Sequence, residues 1–253
     1  WAGGASLRNV DVGLGGKCKL GRWVPLRATV VADVPQRGRL IDTVPDGEGL
    51  PCRYVSPVMS LSAGTHRLTQ LVRIGREFAQ LQVRFVAESA ADDTVPALVY
   101  KVDRDDLVRA TQQLVLVLGT DIGLDQALGL KVRQTNELLR AARIETAADV
   151  PDQWLAYDSA DVIVLPTGRP GLVESLRPAQ WTALESWVAR GGKLILAVGA
   201  RGEQLLADGQ PLESFLPGTF DSVIRLRETG ELQSFAQSTQ RIDLLWRELP
   251  RDQ

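Results

Sequence analysis

Between Val12 and about Val102 the apolar positions recur every second residue. Val24, Leu26, Ala28 and Val30 alternate with Pro25, Arg27, Thr29 and Val31, and Leu81, Val83 and Phe85 alternate with Gln82, Arg84 and Val86. A period of two sends successive side chains to opposite faces of a strand, so this half predicts sheets with one face on a core. Turn formers punctuate the alternation at Pro35-Gln36-Arg37-Gly38, Pro45-Asp46-Gly47 and Ser62-Ala63-Gly64. Several short strands without a long helical pattern between them predict an all-β antiparallel sandwich over residues 1–109.

After Arg109 the pattern changes. Leu114-Val115-Leu116-Val117-Leu118, Val162-Ile163-Val164-Leu165 and Leu194-Ile195-Leu196-Ala197-Val198 are unbroken apolar runs, which suit parallel strands buried on both faces. A helix is predicted over Pro178–Arg190, where Trp181, Leu184 and Val188 share a face, Pro178 opens the first turn and Gly191-Gly192 follows the last. An edge strand is expected near Arg143-Ile144-Glu145. These elements predict an α/β domain over residues 110–220 with helices on both faces of its sheet. The tail, 221–253, offers two weak strand patterns, Ser222-Val223-Ile224-Arg225-Leu226 and Ile242-Asp243-Leu244-Leu245-Trp246, which would either pack back on the first domain or begin a further region.

Composition narrows the class. Apolar residues are 44% and charged residues 24% of 253, an ordinary globular balance, and a net charge of −2 gives no global attraction to nucleic acid or an anionic membrane. No run of about 18 apolar residues reads as a bilayer-spanning helix. The chain opens Trp1-Ala2-Gly3-Gly4 and closes on a charged stretch, so it reads as a piece of a longer protein whose leader or anchor would lie elsewhere. Cys18 and Cys52 fit no zinc spacing. Either they are two small core residues, or they form a disulfide across the sandwich that would imply an oxidising compartment.

The run Tyr157-Asp158-Ser159-Ala160-Asp161-Val162-Ile163-Val164-Leu165-Pro166, followed by Gln180 to Arg190, Gly191-Gly192 and Lys193-Leu194-Ile195-Leu196, resembles the class I glutamine amidotransferase-like superfamily over roughly Gln112–Phe220. The segment from Gly13 to Leu26 resembles the opening strands of a β domain that precedes such modules in large membrane-anchored bacterial proteins of unassigned function. The resemblance implies a flavodoxin-like sheet. In active members a Cys sits on a tight Gly-x-Cys-x-Gly turn after the strand that follows Gly-Gly, with His and Glu later, because such an elbow lifts the nucleophile to where a base reaches it. Here the strand runs into Val198-Gly199-Ala200-Arg201-Gly202, and the sole histidine, His66, lies in the β half. The resemblance therefore implies the fold without the amidotransferase activity.

Other chemistry is thin. Val10-Asp11-Val12-Gly13-Leu14-Gly15-Gly16 mimics a nucleotide fingerprint, but Lys17–Val31 alternates like a strand and holds Pro25, so no helix follows to bind a pyrophosphate. His66 reads as a surface or half-buried strand residue. A von Willebrand-type metal site would need Asp-x-Ser-x-Ser, which Gly119-Thr120-Asp121-Ile122-Gly123 does not supply. Asp103, Asp105 and Asp106 around Arg104 read as a solvated hinge. Trp181 reads as core, and Trp187 as a partly exposed docking residue. One constellation remains. Ligands of open parallel sheets bind at the carboxyl ends of the strands, and here those ends carry Thr120, Asp121, Thr167, Arg169, Gly199 and Arg201, a set suited to a small anion or carboxylate. Against it stands ordinary pairing of Arg169 and Arg201 with Asp121 or Glu174. The expectation is thus a non-enzymatic structural or protein-interaction module, without cofactor or metal, of an extracytoplasmic or membrane-anchored protein. Its partners would be other protein domains, and not nucleic acid. The alternative is a domain that binds a small carboxylate, sugar or phosphate.

Overall fold

The structure, a computed structural model of the chain, describes residues 4–91, 95–120, 122–124, 139–168, 171–199, 201–222, 230 and 234. The alternating half forms two antiparallel sheets. In one, β3 (Trp23–Ala32) runs between β1 (Ala5–Val12) and β7 (Gly64–Arg73). In the other, β4 (Gln36–Pro45) lies between β5 (Pro51–Val55) and β8 (Gln80–Ala87), with β9 (Leu98–Lys101) beyond β8 and β6 (Met59–Leu61) on the start of β4. Their inner faces meet in one core that includes Val24, Leu26, Ala28 and Val30 from the first sheet and Leu81, Val83 and Phe85 from the second. The period-two pattern marked these core residues because each strand exposes alternate side chains to the opposing sheet. Asp42 of β4 is the discordant member. It sits on the same face as Leu40 and Val44, opposite Val83 and Tyr54, fully buried, and neither carboxylate oxygen has a partner. Burial pushes its carboxyl up to about 7.

The unbroken apolar runs form a parallel sheet in the order β12-β11-β13-β14, from β11 (Gln113–Leu118), β12 (Leu139–Ile144), β13 (Val162–Pro166) and β14 (Lys193–Ala197). The edge strand expected near Arg143 is β12. Helix α2 (Pro178–Ala189) and the single turns α1 (Leu172–Ser175) and α3 (Gly202–Leu205) all pack on the face that carries Leu114, Leu116, Leu118, Ile163 and Leu165. The expectation of helices on both faces is therefore corrected for the described residues. The opposite face, with Val115, Val117 and Val164, meets Leu124, Leu139 and Val162, and no described helix covers it. Residues 125–138 lie outside the described set, as do the two tail patterns beyond Ser222.

Helix α2 closes on itself as its sequence requires. Arg177 N–H donates to Gln180 Oε1 at 2.8 Å, while Gln180 Nε2 donates to the carbonyls of Ala147 and Val150 at 2.6 and 2.7 Å. A buried amide is thereby fully used. Trp181 and Leu184 are buried as expected, but so is Trp187, which is 7% exposed. Its position three residues after Leu184 puts it on the same face, where it meets the Tyr157 ring at 6.2 Å. A Cβ on Gly192 would come within 2.3 Å of that indole, so Gly192 is the residue that lets Trp187 in.

The two halves are tied together more tightly than the sequence suggests. The loop Gly13–Gly16 leaves β1 and delivers Leu14, fully buried, into the core of the α/β half. Gly15 passes so close to β12 that a Cβ there would fall 2.4 Å from the Arg143 carbonyl oxygen, and its φ of +54° is one that side chains rarely adopt. The loop leads into β2 (Cys18–Lys19), not a helix, so no pyrophosphate-binding helix end exists there. The short strand β10 (Leu107–Val108) pairs in parallel with β2, and Asp106 holds Lys17 at 2.9 Å. Asp103, Arg104 and Asp105 are exposed, as a solvated segment should be, but its end at Asp106–Val108 is anchored by this pairing. Both cysteines are free, and burial pushes the Cys18 thiol up to about 12, as for an inert core residue. His66 is a half-buried strand residue whose Nε2 lies 2.8 Å from the Ser62 carbonyl oxygen.

Candidate functional site

The parallel sheet ends in a cleft of about 520 Å³ over the carboxyl ends of β11, β12 and β13, floored by Gly119, Thr120 and Pro166 and walled by Thr146, Leu172 and Ser175. Of the four described residues among the six expected to bind a ligand, only Thr120 lines this cleft. Asp121 and Arg169 lie outside the described residues. Thr167 is fully buried, its hydroxyl directed to the Ala197 carbonyl at 3.3 Å and accepting the Gly199 N–H at 3.0 Å, so it fastens the end of β13 to the turn after β14. The structure brings Thr167 and Gly199 together, as a backbone latch. Arg201 is taken up through Nη2 and Nε, while its Nη1 is buried without a hydrogen-bond partner. Its Nη2 meets the Glu174 carboxylate at 2.5 Å and Gln204 Oε1 at 2.8 Å, the pairing that competed with the anion reading.

The polar side chains that line the cleft are therefore hydroxyls and one carboxylate, beside the apolar Ala147, Pro166, Leu172 and Val173. Ser175 Oγ donates to the Gly171 carbonyl at 2.5 Å, and Thr146 Oγ1 donates to Asp149 at 2.6 Å, while Glu145 at the rim pairs with Arg143 at 2.8 Å. Each hydroxyl keeps acceptor capacity toward the cleft. No described cation lines it. Burial alone would raise Asp149, but hydrogen bonds from Thr146 and Arg67 and the charges of Arg67 and Arg27 hold its carboxyl below the usual range. Among the described residues no group of three His, Cys, Asp or Glu side chains is placed to hold a metal, and no helix is long and apolar enough to cross a membrane.

Gly199 lies between the end of β14 at Ala197 and the start of α3 at Gly202. A Cβ there would stand 2.4 Å from the Cα of Gly168. Backbone thus fills the space that a side chain at this position would need.

The motif Tyr157-Asp158-Ser159-Ala160-Asp161 has a use that sequence reasoning missed: it is the α/β side of the junction. Asp161 accepts Lys19 Nζ at 2.6 and 2.8 Å and the Leu114 N–H at 2.7 Å, and Asp158 accepts the Trp23 N–H at 3.0 Å and Arg22 at 3.3 Å. Tyr157, fully buried, donates to the Pro151 carbonyl at 2.9 Å. From the β side Arg27, only 7% exposed, donates to Asp11 at 2.7 Å and to the Asp149 carbonyl at 3.0 Å, and Arg67 pairs with Asp149 at 2.5 Å. The signal for Arg27 was its position between Pro25 and Thr29 on the outer face of β3, a face that reads as solvent until the second half covers it.

No family model matches the chain, and no curated protein matches it. Solved structures similar to it include a calcium-binding mutant of β-glucuronidase 2 from Bacteroides uniformis, at 10% identity and a TM-score of 0.23 over 72% of this chain and 24% of that one. The same enzyme covalently bound to cyclophellitol-6-carboxylate aziridine is similar at 9% identity and a TM-score of 0.23, over 83% of this chain and 30% of that one. The chain thus spans less than a third of either enzyme's length, and likeness at this level carries no argument about fold or activity.

Proposed function

We propose that this chain is a non-catalytic structural and protein-interaction module, built from a β-sandwich domain (residues 1–109) and a degenerate class I glutamine amidotransferase-like, flavodoxin-like domain (residues 110–220). We place it in a larger extracytoplasmic or membrane-anchored bacterial protein, with other protein domains as its partners. The observation that carries the reading is the packing after β14: Gly199 is pressed against Gly168, and the resemblance would put the superfamily's cysteine on or beside Gly199. The lack of a histidine in residues 110–220 agrees with it. The family's strand-helix-Gly-Gly-strand frame would then serve as a scaffold, with Asp158 and Asp161 holding the sandwich domain. The test is a glutaminase assay on the purified chain with and without added ammonia acceptors. Turnover that tracks the protein through purification and disappears on Gly199→Val refutes the proposal.

A second reading, small-ligand binding, is favoured by the cleft of about 520 Å³ at the strand ends. Its hydroxyl and carboxylate lining suits a polyol or sugar better than the anion suggested by sequence. Thermal unfolding against a panel of sugars, amino acids, nucleotides and phosphate decides it, since a ligand at about 100 times its Kd stabilises the native state by about 2.7 kcal/mol. A rise with a sugar, lost in Thr120→Val, would promote this reading over the first.

A further inference from the structure

At the opposite end of the parallel sheet from the strand-end cleft, an open depression of about 410 Å³ runs along the amino ends of β11, β13 and β14. Its walls are Trp154, Arg190, Lys193 and Arg22, and its floor holds Asp158 and Asp161. Trp154 is 39% exposed, and the Arg190 guanidinium lies 4.4 Å from the centre of its ring, with Arg190 Nη1 donating to the Ser186 carbonyl at 2.9 Å. The indole is therefore presented at the surface in a fixed pose, held by a cation–π contact.

The charges here do not cancel. Asp161 is neutralised by Lys19, and Asp158 by Arg22. Among the described residues no carboxylate pairs with Arg190 or with the exposed Lys193, so the depression keeps two surplus positive charges beside an accessible aromatic ring. Fixed Trp beside Arg is the side-chain chemistry in which binding energy concentrates at protein–protein contacts. The depression is too open to enclose a small molecule. It also fits a nucleic acid poorly. Two surplus cations neutralise few phosphates, and the two carboxylates in the floor oppose the rest.

Resting on the interaction-module reading above, we propose that this depression docks an acidic, extended peptide segment of a partner protein. The segment's carboxylates would meet Arg190 and Lys193, and an apolar side chain would lie on the free part of Trp154.

The test uses the full chain and a fluorescein-labelled peptide of alternating Glu and Leu with one Phe, followed by anisotropy. Saturable binding that weakens as salt rises is expected, with Kd raised about tenfold or more by Lys193→Glu and by Trp154→Ala. A peptide with Lys in place of Glu should not bind. Lys193 is exposed and at a strand end, so its variant should keep the wild-type unfolding midpoint even if Trp154→Ala does not. A partner-free readout is the fluorescence that Trp154→Phe removes: the ratio of its quenching by iodide to that by caesium should exceed the ratio for a free tryptophan amide, because the surface around it is cationic.

Equal affinity of wild type and both variants, no binding of the acidic peptide, tighter binding of a single-stranded oligonucleotide, or an iodide-to-caesium quenching ratio no higher than that of a free tryptophan amide would each overturn the proposal. Those outcomes leave the module reading standing. Glutaminase turnover, or a sugar-dependent rise in the unfolding midpoint, would overturn the module reading whatever the peptide does.

Discussion

Asp42 makes the stability of the sandwich depend on pH in an unusual direction. In the unfolded chain its carboxyl ionises near the ordinary 3.8, whereas in the folded core it holds its proton to about 7. The folded state therefore binds this proton more tightly, and its contribution is fully present below about pH 4 and lost as pH rises toward about 7. Each pH unit in that window is worth about 1.4 kcal/mol, so the full loss is roughly 4 kcal/mol, of which roughly 3 kcal/mol falls above about pH 5. No charge offsets it. The side chains around it on the core face are Leu40, Val44, Val83 and the phenol of Tyr54. The perturbation is Asp42→Asn, which keeps the shape and removes the titration, and the assay is urea unfolding followed by circular dichroism between about pH 5 and about pH 8. Other titrating groups act equally in both proteins and drop out of the difference, Asp149 among them, whose lowered pKa costs stability only in acid. The variant should gain on the wild type by roughly 3 kcal/mol across that range. Unfolding curves for the two proteins that stay parallel, within about 0.5 kcal/mol at every pH, would refute the argument that this carboxyl is buried without a partner.

Leu14→Ala should destabilise by about 2–5 kcal/mol, because it empties a fully buried site in the α/β core; near-UV circular dichroism should report it through the tryptophans of that half. Lys19→Met, read by denaturant midpoint, should cost about 1–3 kcal/mol, because the half-buried Asp161 loses its cation but keeps the Leu114 N–H, and Lys19→Met/Asp161→Leu together should recover part of the loss. Gly199→Cys should restore no glutaminase activity and should lower the unfolding midpoint, since its Cβ meets the Gly168 backbone. An active or a stabilised Gly199→Cys would show that the turn relaxes more readily than its packing implies.

The sequence was most legible where one physical demand acted alone. Strands β3 and β8 declared their inner faces by alternation, and β11, β13 and β14 declared themselves by unbroken apolar runs. Residues that serve two demands were misread. Arg27 and Lys19 are buried charges that the alternation does not mark, because the face they occupy is covered only when the halves meet, and that contact leaves no local period. Thr167 looked like a ligand-facing hydroxyl at a strand end, but its neighbours' backbone took its hydrogen bonds first. Two signals were available and went unread. The i, i+3 step from Leu184 places Trp187 in the core, and the spacing Leu40-Ile41-Asp42-Thr43-Val44 places Asp42 there too.

The Gly13–Gly16 loop has a consequence for how the chain is made. Leu14 precedes Leu114, its fellow member of the α/β core, by 100 positions, so it leaves the ribosome long before any strand of that core exists. Domains generally complete folding in the order of synthesis. The sandwich can therefore hold the loop out, ready-formed, as a seed on which the later sheet closes. A chain permuted to begin at residue 110 would reverse the schedule. Its sheet would be born with an empty apolar slot and would wait for its last-made residues to fill it.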